Sequence, residues 1–263
     1  GGTAAGANIT FSSTINNGQT LSLTGGTAGA ITLSGIVGGS STLTSFTANA
    51  NTISTIGVNT NASQSYTGAT STTFNGNYNV STSSNSFTVT GAALLAGATS
   101  INSGTSSTLS FSSTINNAQT LSLSATSGAI TVTGAIGGTS ALTSFTAASS
   151  NTVAVNNVRT TGSQSYTSST STTLNGTSYL TAGGSFTTSG AILLGAGVTI
   201  DTTNAGGTPA GASMNISSTI NNAQTLSLVG GTSGVISVLG IVGGTTPLTS
   251  FTTNGNANST VGV

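Results

Sequence analysis

The sequence predicts an all-β chain: a parallel β-helix, or β-solenoid, of about 20 residues per coil, grouped in a super-repeat of about 100 residues. Three observations carry this. First, residues 12–23 (SSTINNGQTLSL) return at 112–123 with Ala118 for Gly18, and at 217–228 with Ala223 there. Second, short runs alternate apolar residues with Ser or Thr, a period of two that turns one face inward and one outward. Third, Gly, Asn and Ser clusters punctuate the runs, and no helical period competes. A long repeat made of short segments that cannot bury a face alone must stack on its neighbours.

Module one covers 1–100. Its strand-like runs are 8–11, 20–23, 30–33, 43–47, 52–56, 64–67, 71–74 and 86–89. Thr is frequent on the outward positions, where it favours a strand and stays solvated. Gly25-Gly26, Gly38-Gly39 and Asn75-Gly76 are read as turns. Phe11, Leu33, Ile53, Phe74, Leu94 and Phe111 are chosen as equivalent inward positions, at spacings of 22, 20, 21, 20 and 17. On that rhythm the chain makes roughly 13 coils and a rod ~60 Å long.

Module two covers 101–200 and repeats the runs, with 142–146 matching 43–47 and 164–167 matching 64–67. Module three, 201–263, is partial, and the three form one continuous solenoid. Residues 1–58 and 206–263 align without a gap, with 38 identities in 58 positions. Open coil edges are therefore expected at Gly1 and Val263, continued by further modules or by copies stacked end to end.

Composition narrows function. Arg159 and Asp201 are the only charged side chains, net charge is zero, and Lys, Glu, His, Cys and Trp are absent. Binding to nucleic acid or insertion in a membrane has no basis: there is no basic patch and no long apolar stretch. A surface so poor in charge points to an extracellular setting. Catalysis is not expected. A glycosidase needs two carboxylates, a nucleophilic Ser needs a base, and a metal needs clustered ligands. Neither a cofactor nor a metal is expected.

Each remaining candidate has a plain alternative. Arg159 and Asp201 align with Asn59 and Asn102, and both are expected at solvated turns. Asn16-Asn17, Asn116-Asn117 and Asn221-Asn222 look like a ligand stripe but, five coils apart, fit corners that need a left-handed residue. Tyr66, Tyr78, Tyr166 and Tyr179 suggest carbohydrate platforms, although packing among strands is the usual fate of such residues. Asn8, Asn61, Asn79, Asn175, Asn215 and Asn258 head glycosylation sequons, a pattern that chance supplies freely in this composition.

The repeats 9–23 (ITFSSTINNGQTLSL), 35–39 (GIVGG) and 43–46 (LTSF) resemble those of filamentous-haemagglutinin-like and autotransporter-passenger adhesins, very large bacterial surface proteins. The resemblance spans the chain as a repeat style. It implies a right-handed parallel β-helix exported to the cell surface, for adhesion or for extracellular fibres, and it carries over no functional residue. The expected role is a structural segment of an extracellular fibre, sheath or matrix. The alternative is an adhesin stalk, and an ice-binding surface ranks third. Expected partners are copies of the chain or further modules, with surface glycans or other cells for the adhesin.

Overall fold

The computed structural model describes residues 5–262, which form only strands, turns and bends. The chain is a parallel β-solenoid of about 12 turns, about 58 Å long at the ~4.8 Å strand spacing. Each coil contributes to three faces. On the first face Ile9 pairs with Ile31, Ile31 with Ile53, Ile53 with Thr72 and Thr72 with Ala93. On the second, Val58, Tyr78, Ile101 and Leu123 stack in register. On the third, Leu23, Ala48, Tyr66, Val89 and Phe111 do so. Among the described residues every ladder is parallel, and one isolated antiparallel bridge joins Ala182 to Thr203.

Alternation sorts the side chains as the period of two requires. Strand Thr120–Ala125 buries Leu121, Leu123 and Ala125 and turns Thr120, Ser122 and Ser124 toward solvent. The core runs unbroken from coil to coil. Phe46, Tyr66, Phe87 and Phe111 form an axial ladder with centroid separations of 5.4, 5.2 and 5.9 Å. Such tilted pairs add to the burial of their area.

The typical rung is 22 residues, slightly longer than the expected 20. Rungs vary from Phe46 paired with Gln64 to Phe186 paired with Met214. That variation displaces some of the expected inward residues. The column that begins at Phe11 runs through Leu33, Thr55, Phe74 and Leu95. Ile53 is buried, but in the neighbouring column, and Phe111 lies on another face. Leu94 points outward between buried Ala93 and Leu95. Phe11 is 38% exposed: it is in the first rung and is covered from one side only, by Leu33.

Corners also differ from the expectation. Gly25-Gly26 lies inside strand Leu21–Leu33 and Asn75-Gly76 inside strand Gln64–Val80, each at a register shift. There the strand bends round the corner through a bulge instead of stopping at a turn. Gly38 is a true turn. Its φ is +72°, and a Cβ would strike the Asn59 carbonyl of the next coil, which only Gly avoids. Its counterparts Gly137 and Gly243 have φ +71° and +72°.

The modules do not superpose by a whole number of coils. Ile9–Phe11 is on the first face, its module-two counterpart in Thr108–Phe111 on the third, and Met214–Ile216 on the second. One module therefore advances five coils less one face, and successive copies of one motif look out in three directions. The open edges expected at Gly1 and Val263 lie outside the described residues.

Candidate functional site

The tyrosines are not platforms. Tyr66, Tyr78, Tyr166 and Tyr179 are fully buried. Tyr66 donates to Gln64 Oε1 at 2.8 Å, and Gln64 Nε2 donates to the carbonyls of Val58 and Asn79, both at 2.9 Å. Module two repeats this, with Tyr166 on Gln164 and Gln164 on Val158 and Leu180. The Gln side chain thus joins carbonyls of successive coils inside the short rung. Burial raises the Tyr66 and Tyr166 phenols well above the usual range, and the neighbouring Tyr78 and Tyr179 add to it. Tyr78 is pushed up to about 12 by burial, which its bonds to Thr55, Asn75 and Gly57 partly offset. Tyr179 rises for the same reason, moderated by Gly176.

Each Asn pair builds a corner. Asn17, Asn117 and Asn222 have φ of +114°, +88° and +91°, so the second Asn takes the left-handed place. The first Asn caps the next coil: Asn16 Oδ1 accepts from Ser40 N at 2.9 Å, Asn116 from Thr139 N and Asn221 from Thr245 N. The three pairs occupy three different corners of the prism, less than five coils apart, and no stripe exists.

An Asn ladder does occur elsewhere. Asn79 Nδ2 donates to Asn59 Oδ1 at 2.6 Å, and Asn102 Nδ2 donates to Asn79 Oδ1 at 3.1 Å. In module two the same three rungs carry Arg159, Leu180 and Asp201. The two charges thus stand where the ladder would be, separated by Leu180, and no ion pair joins them among the described residues. Arg159 is exposed, as expected, but it lies in the strand Val158–Arg159 and not at a turn. Asp201 is not at a solvated turn, which corrects the expectation: it is 6% exposed. Its Oδ1 accepts from Thr203 N and Thr203 Oγ1, both at 2.6 Å, and its Oδ2 from Ala205 N at 2.9 Å. These bonds close the loop that lengthens the Phe186-to-Met214 rung. A hollow of about 470 Å³ beside it is lined by Thr203, Pro209, Gly231 and Asn254. Its one carboxylate is thus committed to the loop backbone.

Much of what remains on the surface is hydroxyl, with Ile36, Ile56, Leu239 and Ile241 as exposed apolar side chains. Ser22, Thr47, Ser65, Thr88, Ser110 and Thr131 form a file on the third face, one per rung. Among the described residues none of these hydroxyls has a side-chain hydrogen bond within the protein. Beside them Ser45 Oγ donates to Thr20 Oγ1 at 3.1 Å. In module two the matching file, Ser122, Thr146, Ser165 and Thr187, lies on the second face.

No family model, curated protein or solved structure matches the chain. The fold therefore rests on the ladders themselves. Sequence reasoning missed the Asn59–Asn79–Asn102 ladder, because the rungs between its members are unequal, and it missed the hydroxyl file for the same reason. Among the described residues no group of three or more His, Cys, Asp or Glu comes together, and no helix is long and apolar enough to cross a membrane. Of the sequons, Asn8, Asn61, Asn175, Asn215 and Asn258 are exposed, while Asn79 is engaged in the ladder.

Proposed function

We propose that this chain is a structural segment of an extracellular bacterial fibre, sheath or matrix, a rod whose stability comes from a continuous core and whose surface is mostly hydroxyl and amide. The observation that carries this reading is the unbroken core under three parallel ladders, with its polar groups spent on the scaffold. Gln64, Gln164, the corner Asn pairs and Asp201 each hold backbone in place. The module geometry supports it too: by rotating one face per module, a long chain offers the same hydroxyl surface in three directions. Copies of the chain or further modules are the partners this implies. The same rod suits an adhesin stalk, for which cell-surface glycans or other cells would be met elsewhere in the assembly. Ice binding has less support, because the hydroxyl file mixes Ser with Thr and changes face at each module.

The test is electron microscopy of the purified chain and of the native assembly. Unbranched filaments growing by end-to-end addition support the fibre; uniform single rods at every concentration support the stalk and reject the fibre.

A further inference from the structure

We propose that Asn17 is a site of spontaneous deamidation, selected among the Asn-Gly pairs by the way its corner holds the side chain against Gly18. The inference does not rest on the fibre reading. The reaction needs the amide nitrogen of the following residue to reach the Asn side-chain carbonyl carbon. Gly18 N lies 3.0 Å from Asn17 Oδ1, its N–H pointing at that carboxamide, so the reacting groups already lie side by side. Asn17 and Gly18 are both exposed, and a hollow of about 180 Å³ beside them admits solvent. Nothing lies within 4 Å of the place where a Cβ on Gly18 would be, so the nitrogen is open on that side.

The step balances without any group beyond water. Hydroxide takes the Gly18 amide proton, and the nitrogen attacks Asn17 Cγ. The bond from Cγ to the side-chain nitrogen breaks and ammonia leaves, closing a five-membered succinimide. Water then opens the ring at either carbonyl, leaving aspartate or its β-linked isomer. One water is consumed and one ammonia released, with no oxidation or reduction.

The fold withholds this geometry from the other candidates. Asn75 and Asn175 also precede Gly, but the side-chain oxygen of each lies against Gly97 and Gly195 of the next coil, and no hydrogen bond from the following Gly N reaches it among the described residues. Gly176 N is further held by Tyr179 Oη at 3.1 Å. Asn254 closes the strand Ser250–Asn254, and among the described residues its side chain has no hydrogen bond from Gly255 N of the kind that joins Gly18 to Asn17. Asn117 and Asn222 have the left-handed corner conformation of Asn17 but precede Ala118 and Ala223. Asn222 is also tied by Nδ2 to Leu194 O at 3.1 Å. Asn156 has its successor's N–H on Oδ1 at 2.7 Å, yet its own Nδ2 is bound to Thr133 O and the successor carries a side chain. Conversion at Asn17 would put a carboxylate on a corner of a chain with zero net charge. Its β-linked form would lengthen the backbone beside Asn16, which caps Ser40.

The experiment incubates the folded chain at neutral and mildly alkaline pH and follows each Asn by peptide mapping with detection of isoaspartate. Asn17 is expected to convert faster than Asn75, Asn175, Asn254 and Asn117 by roughly tenfold or more. In denaturant, where the fold no longer ranks them, the four Asn-Gly pairs should converge. Gly18→Ala, tolerated because modules two and three carry Ala there, should suppress conversion at Asn17, and Ala118→Gly should confer it on Asn117. Conversion of Asn75, Asn175 or Asn254 at the Asn17 rate in the folded chain would overturn the proposal. So would a Gly18→Ala chain that loses its amide as fast as the parent.

Discussion

Gln64 shows how a single side chain closes a coil. A buried polar group left without a partner costs ~1–3 kcal/mol, and Gln64 bonds the carbonyls of Val58 and Asn79 and accepts from the buried Tyr66 hydroxyl. Gln64→Leu leaves that hydroxyl without its acceptor and is therefore expected to lower stability by ~1–3 kcal/mol, read as a shift in the denaturant midpoint. Thr72 is the opposite case. Its buried hydroxyl has no partner, and it sits in the column between Ile53 and Ala93. Thr72→Val keeps the shape and removes the orphan, so stability should rise by ~1 kcal/mol in the same assay. The four tyrosines set the alkaline limit. Their folded pKa values are raised above 10.0, so between that value and the folded one the unfolded chain binds fewer protons than the folded one. Their contribution is intact below about pH 10 and is lost as pH climbs from there through each raised pKa, about 12 for Tyr78. Thermal melts across that range should show a falling midpoint; a flat profile would contradict their burial.

Strands and corners divide differently between sequence and structure. The strand Thr120–Ala125 was legible because alternation is enforced at every residue: slipping by one would put Ser in the core. Corners were harder. Gly25-Gly26 and Asn75-Gly76 carry turn chemistry yet sit within strands, because bulged ladder pairing satisfied the backbone that a turn would have freed. The loop after Asp201 was misjudged for a related reason. In sequence Asp201 is the counterpart of Asn102; only the longer rung makes its carboxylate the anchor of a loop. Asp201→Ala is expected to cost ~1–3 kcal/mol, while exposed Arg159→Asn should stay within ~0.5 kcal/mol. Comparing the two midpoints checks the assignment, and equal losses would refute it.

At the scale of the molecule, the energetics are those of a core with almost no charge. Only one cation and one anion are present, and they do not meet. Raising sodium chloride from dilute to ~1 M shortens the Debye length to ~3 Å but has no network of pairs to screen. The melting midpoint should therefore move little between those limits, and a large fall would reveal an electrostatic contribution absent from this account. Composition, the period of two and the recurrence of residues 12–23 determined that the chain is a β-solenoid with a hydroxyl-rich surface of almost no charge. They suffice because alternation and repetition are local properties, repeated until only stacking can bury the apolar face. Rung length is not local. It depends on which corner bulges, which turns and which is closed by a Gln or an Asp, and those choices add along the chain. Only the tertiary structure could decide that Leu94 faces outward while Leu95 is buried, that Asn59, Asn79 and Asn102 meet in a ladder, and that each module turns by one face, since each is a sum over unequal coils.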